Sequence, residues 1–233
     1  YEEMSAYAAQ YIMSQVLLNP KSVLGFATGS TPVGTYEKLR EHQAKGLVSF
    51  ADCTSFNLDE YIGLPKSDPQ SYYHFMCKHL FNHIDLNPSK IHIPNGMAVD
   101  IVAECKAYEQ AIEDHDGIDL QLLGIGRNGH IGFNEPDVKF EALTHEVVLD
   151  EDTIAANARF FSSLEAVPRR AVSMGIKSIM HAHKILILAS GKEKADAVAR
   201  MVHGPVAPGL PASVLQLHPN VVLIVDEDAG RLL

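Results

Sequence analysis

Cysteine is scarce in this 233-residue chain. Cys53, Cys77 and Cys105 are odd in number, widely spaced and form no CxxC pair. That excludes the disulfide framework of a small secreted domain and points to a reducing, cytoplasmic setting. Long apolar runs are also missing. The longest aliphatic stretches, Val221–Val225 and Ile185–Ala189, fall far short of the roughly 20 residues that a membrane-spanning helix needs. Cations are in the minority: 19 Lys+Arg stand against 29 Asp+Glu, a formal net charge of −10. This balance argues against nucleic acid and anionic membrane as partners. It permits a small anionic substrate, provided that a few cations converge on one spot. No secretory signal pattern opens the chain, and its start at Tyr1 rather than Met leads us to expect native residues before it. Repeats, low-complexity tracts and Pro/Gly/Ser linkers are lacking too, so residues 1–233 read as one domain.

What is present is globular composition, with 46% hydrophobic and 21% charged residues, which excludes disorder as the default state. The pattern predicts a helix over 3–18 with Met4, Tyr7, Ala8, Tyr11 and Ile12 on one side, a strand over 22–27, and a helix from Pro32 to about 44. A strand over 54–58 follows, then helices over 70–81 and 99–115, and strands over 118–123, 146–149 and 184–189. A helix over 193–202 and a strand over Val221–Val225 complete the series. Near-continuous Val/Ile/Leu strands alternating with amphipathic helices specify the α/β class, as a single Rossmann-like, three-layer α/β/α domain on a mostly parallel sheet. Ligands in such folds sit at the carboxyl ends of the strands. Four strand ends here carry unusual chemistry.

The first is ATGSTP, residues 27–32. A glycine followed by two hydroxyls at a strand-to-helix turn suits an anion, although Ser30 or Thr31 could equally be a plain helix cap. The second is NLDEY, residues 57–61, where Asp59 and Glu60 follow an apolar strand. A carboxylate there, partly desolvated, can rise toward the pKa of a general base. Adjacent side chains point apart, so at most one of the two faces the cleft. The third is LLGIGRNGHIGFNEP, residues 122–136. Gly124, Gly126 and Gly129 form GxGxxG after a strand, with Glu146 at about the dinucleotide spacing, but that fingerprint must open a helix. Gly132, Asn134 and Pro136 break the next stretch. The loop instead holds His130 near Glu135, a pair suited to proton transfer. The fourth is ASGKEKA, residues 189–195, where Lys192 and Lys194 stand at a helix start against the dipole, a breach that suits an anion site, although either lysine alone could be simply solvated. With 12 His in the chain, His79 and His83 beside His74, and likewise His181 and His183, read as chance neighbours rather than zinc ligands. No Walker A and no GxSxG is found.

Together with SYYHF, NARFF, SMGI and LQLHPN, these strings in this order resemble the glucosamine-6-phosphate deaminase family across Gly25 to Asp226. The resemblance implies conversion of D-glucosamine 6-phosphate and water to D-fructose 6-phosphate and ammonia in amino-sugar catabolism, without metal or organic cofactor. It implies Asp59 as the base that moves a proton between C2 and C1 through an enolamine. His130 would open the pyranose ring, and Glu135 would orient it. Gly29, Ser30, Thr31, Arg159 and Lys194 would hold the phosphate. Some members carry Asp where this chain has Asn128, which can hydrogen-bond His130 but cannot stabilise an imidazolium by charge. Allosterically activated, oligomeric members carry a basic run after FNEP. Here residues 137–149 offer Lys139 but also Glu141 and Glu146, so a monomer without that activation is expected. A 6-phosphogluconolactonase on the same scaffold and a non-catalytic sugar-phosphate sensor are the alternatives. A sensor would usually add a DNA-binding helix-turn-helix, and no segment is spare for one.

Overall fold

The computed structural model describes residues 1–158, 161 and 163–233, with residues 152, 156 and 157 described for their backbone only. Eight helices and nine strands are assigned among them. In chain order they are α1 (Glu2–Leu18), β1 (Val23–Phe26), α2 (Val33–Ala44), β2 (Thr54–Asn57), β3 (Asp59–Tyr61), α3 (Tyr72–His79), β4 (Ile91–His92) and α4 (Ile101–Glu113). There follow β5 (Leu120–Gly124), β6 (His145–Val148), α5 (Glu151–Asn157), β7 (Arg170–Ser173), α6 (Ile176–Met180), β8 (Ile185–Ala189), α7 (Ala195–His203), β9 (Val221–Val225) and α8 (Glu227–Gly230).

Six strands form a parallel sheet in the order β4-β2-β1-β5-β8-β9. Its inner strands β2, β1, β5 and β8 are buried on both faces, as in sheets covered by helices on both sides. Leu24, Phe26, Leu120, Leu122, Leu186 and Leu188 pack with Ile12 of α1, Tyr36 and Leu39 of α2 and Met76 of α3. On the opposite face Phe56, Leu123, Ile185 and Ile187 pack with Tyr108 and Ile112 of α4, Ile179 of α6 and Val198 and Met201 of α7. The three-layer expectation holds. On α1 the buried stripe is Met4, Ser5, Ala8, Ala9, Ile12 and Val16. The small residues admit α2 closely, and Tyr7, expected on this side, is 64% exposed.

Chain order and sheet order together locate a crevice. From β1 the chain moves outward through β2 to β4, then crosses to the other side of β1 with β5, and continues through β8 to β9. The β1/β5 border is therefore the topological switch point, where open α/β sheets bind ligands.

A second, antiparallel sheet has the order β3-β7-β6; β6 answers to the strand expected over 146–149, whereas β3, β7 and their pairing are not marked in the sequence. It pairs Asp59 with Ser173 and Tyr61 with Ala171. Acidic Asp59-Glu60 is poor strand material by propensity, and tertiary pairing overrides it. Tyr61, Phe133, Leu149, Ile154 and Ala171 form a third apolar cluster that seats this sheet against α5. Among the described residues, no helix is long and apolar enough to cross a membrane.

Candidate active site

Asp59 and Glu60 occupy consecutive positions of β3, so their side chains leave opposite faces. Both are buried, at 6% and 3% exposure. Glu60 turns to the helix behind: its carboxylate accepts the backbone N–H groups of Tyr61, Tyr72 and Tyr73, each at 2.9 Å. Burial raises its pKa against these bonds and the nearby charge of Lys66. Asp59 turns to the crevice. Burial, reinforced by the charge of Glu60, pushes its carboxyl up to about 8. Of the two acids, then, one faces the site and the other builds it, as alternation required.

The loop after β5 is pinned against β3 and β7. Asn134 Nδ2 donates to Ile131 O at 2.9 Å and to Met174 O at 2.8 Å. Phe133 N donates to Ser173 Oγ at 3.1 Å, and Ser173 is the residue paired with Asp59. A Cβ placed on Gly132 of this loop would sit 3.6 Å from Asp59 Oδ2. The base candidate and the His130 loop are thus neighbours.

Within the loop His130 Nδ1 approaches Glu135 Oε2 at 3.2 Å, close but not aligned as a full hydrogen bond. Asn128 Nδ2 donates to the same oxygen at 2.7 Å, and Asn128 Oδ1 accepts the His130 backbone N–H at 3.2 Å. Asn128 therefore hydrogen-bonds His130, as expected, at its backbone N–H, and it also holds Glu135. Burial raises the Glu135 pKa, but His130, Thr153 and Asn128 outweigh it and hold the carboxyl down to about 2. The middle glycine of GxGxxG, Gly126, belongs to this arrangement. A Cβ on Gly126 would lie 2.3 Å from His130 Cε1 and Nδ1, so the imidazole rests where only glycine leaves room. Glu146 forms an exposed ion pair with Arg170 at 2.5 Å.

The expected phosphate groups lie along the same sheet edge. Gly29 takes φ +96° in the turn after β1. Neither Ser30 nor Thr31 caps α2; the cap position is Pro32, without a side-chain hydrogen bond. Instead, the Tyr1 hydroxyl accepts the Gly34 N–H at 3.0 Å and donates to Ser30 O at 3.1 Å. Tyr36 Oη donates to Ala27 O at 2.5 Å from below. Lys194 follows β8 and precedes the first turn of α7. With β5 between β1 and β8, the two turns are separated by two strand spacings, roughly 10 Å. Arg159 lies outside the described residues.

Two contributors escaped sequence reading. Asp226, at the end of β9, accepts Ser190 Oγ at 2.6 Å, Gly191 N at 3.1 and 3.2 Å and Ala229 N at 2.9 Å. It fixes the turn that leads to Lys194. An acid directly after an apolar strand was its available signal, the same one that exposed Asp59. Thr153 donates to Glu135 Oε1 from inside α5, a position with no local signature. Two of the histidines set aside above have local partners: His83 Nε2 meets Lys78 O at 2.9 Å and His79 packs on Phe75 at 4.4 Å. Among the described residues no group of three or more His, Cys, Asp or Glu could hold a metal ion.

Comparisons with known proteins bear on the whole chain that carries these groups. A glucosamine-6-phosphate deaminase of Clostridioides difficile (strain 630) is 56% identical over 233 residues, covering all of this chain and 94% of that protein. One from Clostridium botulinum (strain Langeland) is 54% identical, covering all of this chain and 96% of its own. Among solved structures, a monomeric glucosamine-6-phosphate deaminase matches with a TM-score of 0.97 at 47% identity, over all of this chain and 97% of that one. The family model for glucosamine-6-phosphate isomerases/6-phosphogluconolactonase matches residues 2–224. With nearly its whole length matched, the chain belongs to the glucosamine-6-phosphate isomerase/6-phosphogluconolactonase family.

Proposed function

We propose that this chain converts D-glucosamine 6-phosphate and water to D-fructose 6-phosphate and ammonia. The observation that carries the reading is the buried Asp59 carboxyl, raised to about 8, beside a loop holding His130 against Glu135 at 3.2 Å. A lactonase needs an activated water. An aldose–ketose shift needs a base that takes a carbon-bound proton and returns it one carbon away, and a weakly acidic, desolvated carboxyl suits that role.

In the proposed sequence His130 moves a proton from the C1 hydroxyl to the ring oxygen, opening the pyranose to the aldehyde. Asp59 takes the C2 proton, giving the enolamine, and returns it to C1. The C2 imine that results adds water and expels ammonia, leaving the ketone of fructose 6-phosphate. Gly29, Ser30 and Thr31, with Arg159 and Lys194, hold the phosphate. Backbone N–H groups, hydroxyls and two cations meet its charge locally, so the net −10 need not steer the substrate.

A coupled assay for ammonia with glucosamine 6-phosphate tests the reading. Hydrolysis of 6-phosphogluconolactone without ammonia release would assign the chain the other activity of its family. Binding without turnover would make it a sensor. Lys194→Ala should raise KM about tenfold or more with a smaller effect on kcat, the signature of a lost uniform binding contact. An unchanged KM removes Lys194 from the phosphate site. EDTA should leave the rate within about twofold; a loss restored by added divalent metal would return the histidines to consideration.

The monomeric deaminase that this chain resembles supports a monomer, and light scattering tests this. The segment after FNEP lines a cleft of about 340 Å³ with Asp137, Glu141 and Glu146 facing Lys139 and His145. Lys139 is already held by Glu141 at 2.7 Å. Such a surface suits a phosphorylated activator poorly, so N-acetylglucosamine 6-phosphate should not change the steady-state kinetics.

A further inference from the structure

Glu135 is held from two sides. Its Oε2 takes Asn128 Nδ2 at 2.7 Å and faces His130 Nδ1 at 3.2 Å. Its Oε1 takes the Thr153 hydroxyl from the middle of α5. Thr153 is 8% exposed. Its helix neighbour Ile154, 1% exposed, already seats α5 in the apolar cluster with Tyr61, Phe133 and Leu149. Packing alone would be served as well by valine, which has the same shape and no hydroxyl to desolvate. The hydroxyl is therefore there for its partner.

A glutamate carboxyl turns easily about its last torsion, which has broad minima. One anchored oxygen leaves the other free to swing, whereas two anchored oxygens fix the plane. We infer that Thr153 is a positioning residue for the reaction proposed above: by fixing Glu135 Oε1 it keeps Oε2 aimed at His130 Nδ1. The same bond ties α5, the element that leads toward Arg159, to the proton-transfer pair. The inference rests on the deaminase reading for its catalytic consequence but not for its geometry.

The groups that face Glu135 are His130 in direct contact, with Asp137, Lys139, His145 and Asp150 along the adjoining cleft. Of the groups in contact, Asn128 and Thr153 are the uncharged donors, and Thr153 is the one that bonds Oε1 without also holding the His130 backbone.

The test compares Thr153→Val, Thr153→Ala and Thr153→Ser with the parent chain. Carboxyl-carbon NMR follows the Glu135 titration from pH 3 to 6, and ammonia release gives kcat and KM. In the parent Glu135 should stay ionised throughout, since its carboxyl is held down to about 2. In Val and Ala the midpoint should climb into the window. Their kcat should fall about tenfold, the worth of a hydrogen bond to a charged group, with KM within about twofold. Ser should restore both readouts. A Glu135 titration unmoved in the folded Val and Ala variants, or Ser behaving like Val, overturns the assignment. If the parent releases no ammonia, the deaminase reading falls, and the titration still decides the role of Thr153.

Discussion

Asp59→Asn should lower kcat by about 10²–10⁴, the usual worth of a positioned general base, while substrate still binds. The amide keeps the shape of the carboxyl and loses the ability to accept the C2 proton. In the parent, the proton-accepting form of Asp59 grows as pH rises through about 8, so kcat/KM should climb on its acid side across that region. The same substitution should raise stability. The Asp59 pKa is about 8 in the folded chain against an ordinary 3.8. Below 3.8 both states are protonated and no penalty exists. Between 3.8 and 8 the unfolded chain ionises while the folded chain resists, so stability falls with pH, and the loss levels off above 8. Asparagine removes this penalty. At pH 8 the gain should be about 2–4 kcal/mol, roughly 5–12 °C in Tm for a chain of this size, and at pH 4 it should shrink to below about 1 kcal/mol. Calorimetry at both pH values with a kcat measurement checks the pair. Near-parental kcat would refute the base assignment, and an equal Tm difference at both pH values would refute the buried-acid account.

The parts of this site that could be read ahead of the structure are those whose chemistry is contiguous in the chain. His130 and Glu135 share one loop, and the helix-breaking Gly132, Asn134 and Pro136 that ruled out a dinucleotide fingerprint are the residues that let that loop fold back onto β7. The parallel sheet was legible because strands covered on both faces carry uninterrupted apolar runs. What stayed hidden depends on pairing between distant segments. Asp59 and Ser173 are 114 positions apart and meet across an antiparallel ladder, in strands of three and four residues too short to show a period. Thr153 is equally invisible, because an isolated threonine in a helix carries no mark of the carboxylate it will meet 18 positions away. Tyr7 fell on the wrong side for a different reason. Helical spacing allowed it, but the close approach of α2 selects the small Ser5, Ala8 and Ala9 for the buried stripe.

Glu60→Ala should do the opposite of Asp59→Asn to stability. The Glu60 carboxylate is the shared acceptor of three backbone donors: Tyr61 in β3, and Tyr72 and Tyr73 in the first turn of α3. Ser71 Oγ takes the next one, from His74, at 3.0 Å, and Phe75 N bonds Ser71 O at 3.0 Å. Every orphan N–H of the helix start is thus satisfied, two of them by a side chain from another element. Alanine strands three donors, and an unmet buried donor costs about 1–3 kcal/mol. With some relaxation toward water, the loss should reach about 3–5 kcal/mol, roughly 6–15 °C in Tm. Glu60→Gln keeps one carbonyl acceptor and should fall between. Activity should suffer as well, although the Glu60 carboxylate turns to α3 rather than to the crevice. It staples β3 to α3, and the residue before it on that strand is the proposed base. Adjacent acids of one NLDEY string should therefore part in sign, the first raising Tm at pH 8 when neutralised and the second lowering it when removed. A Tm for Glu60→Ala within about 2 °C of the parent would show that the three bonds are replaced by solvent. The strand would then be held in register by its β7 pairing alone.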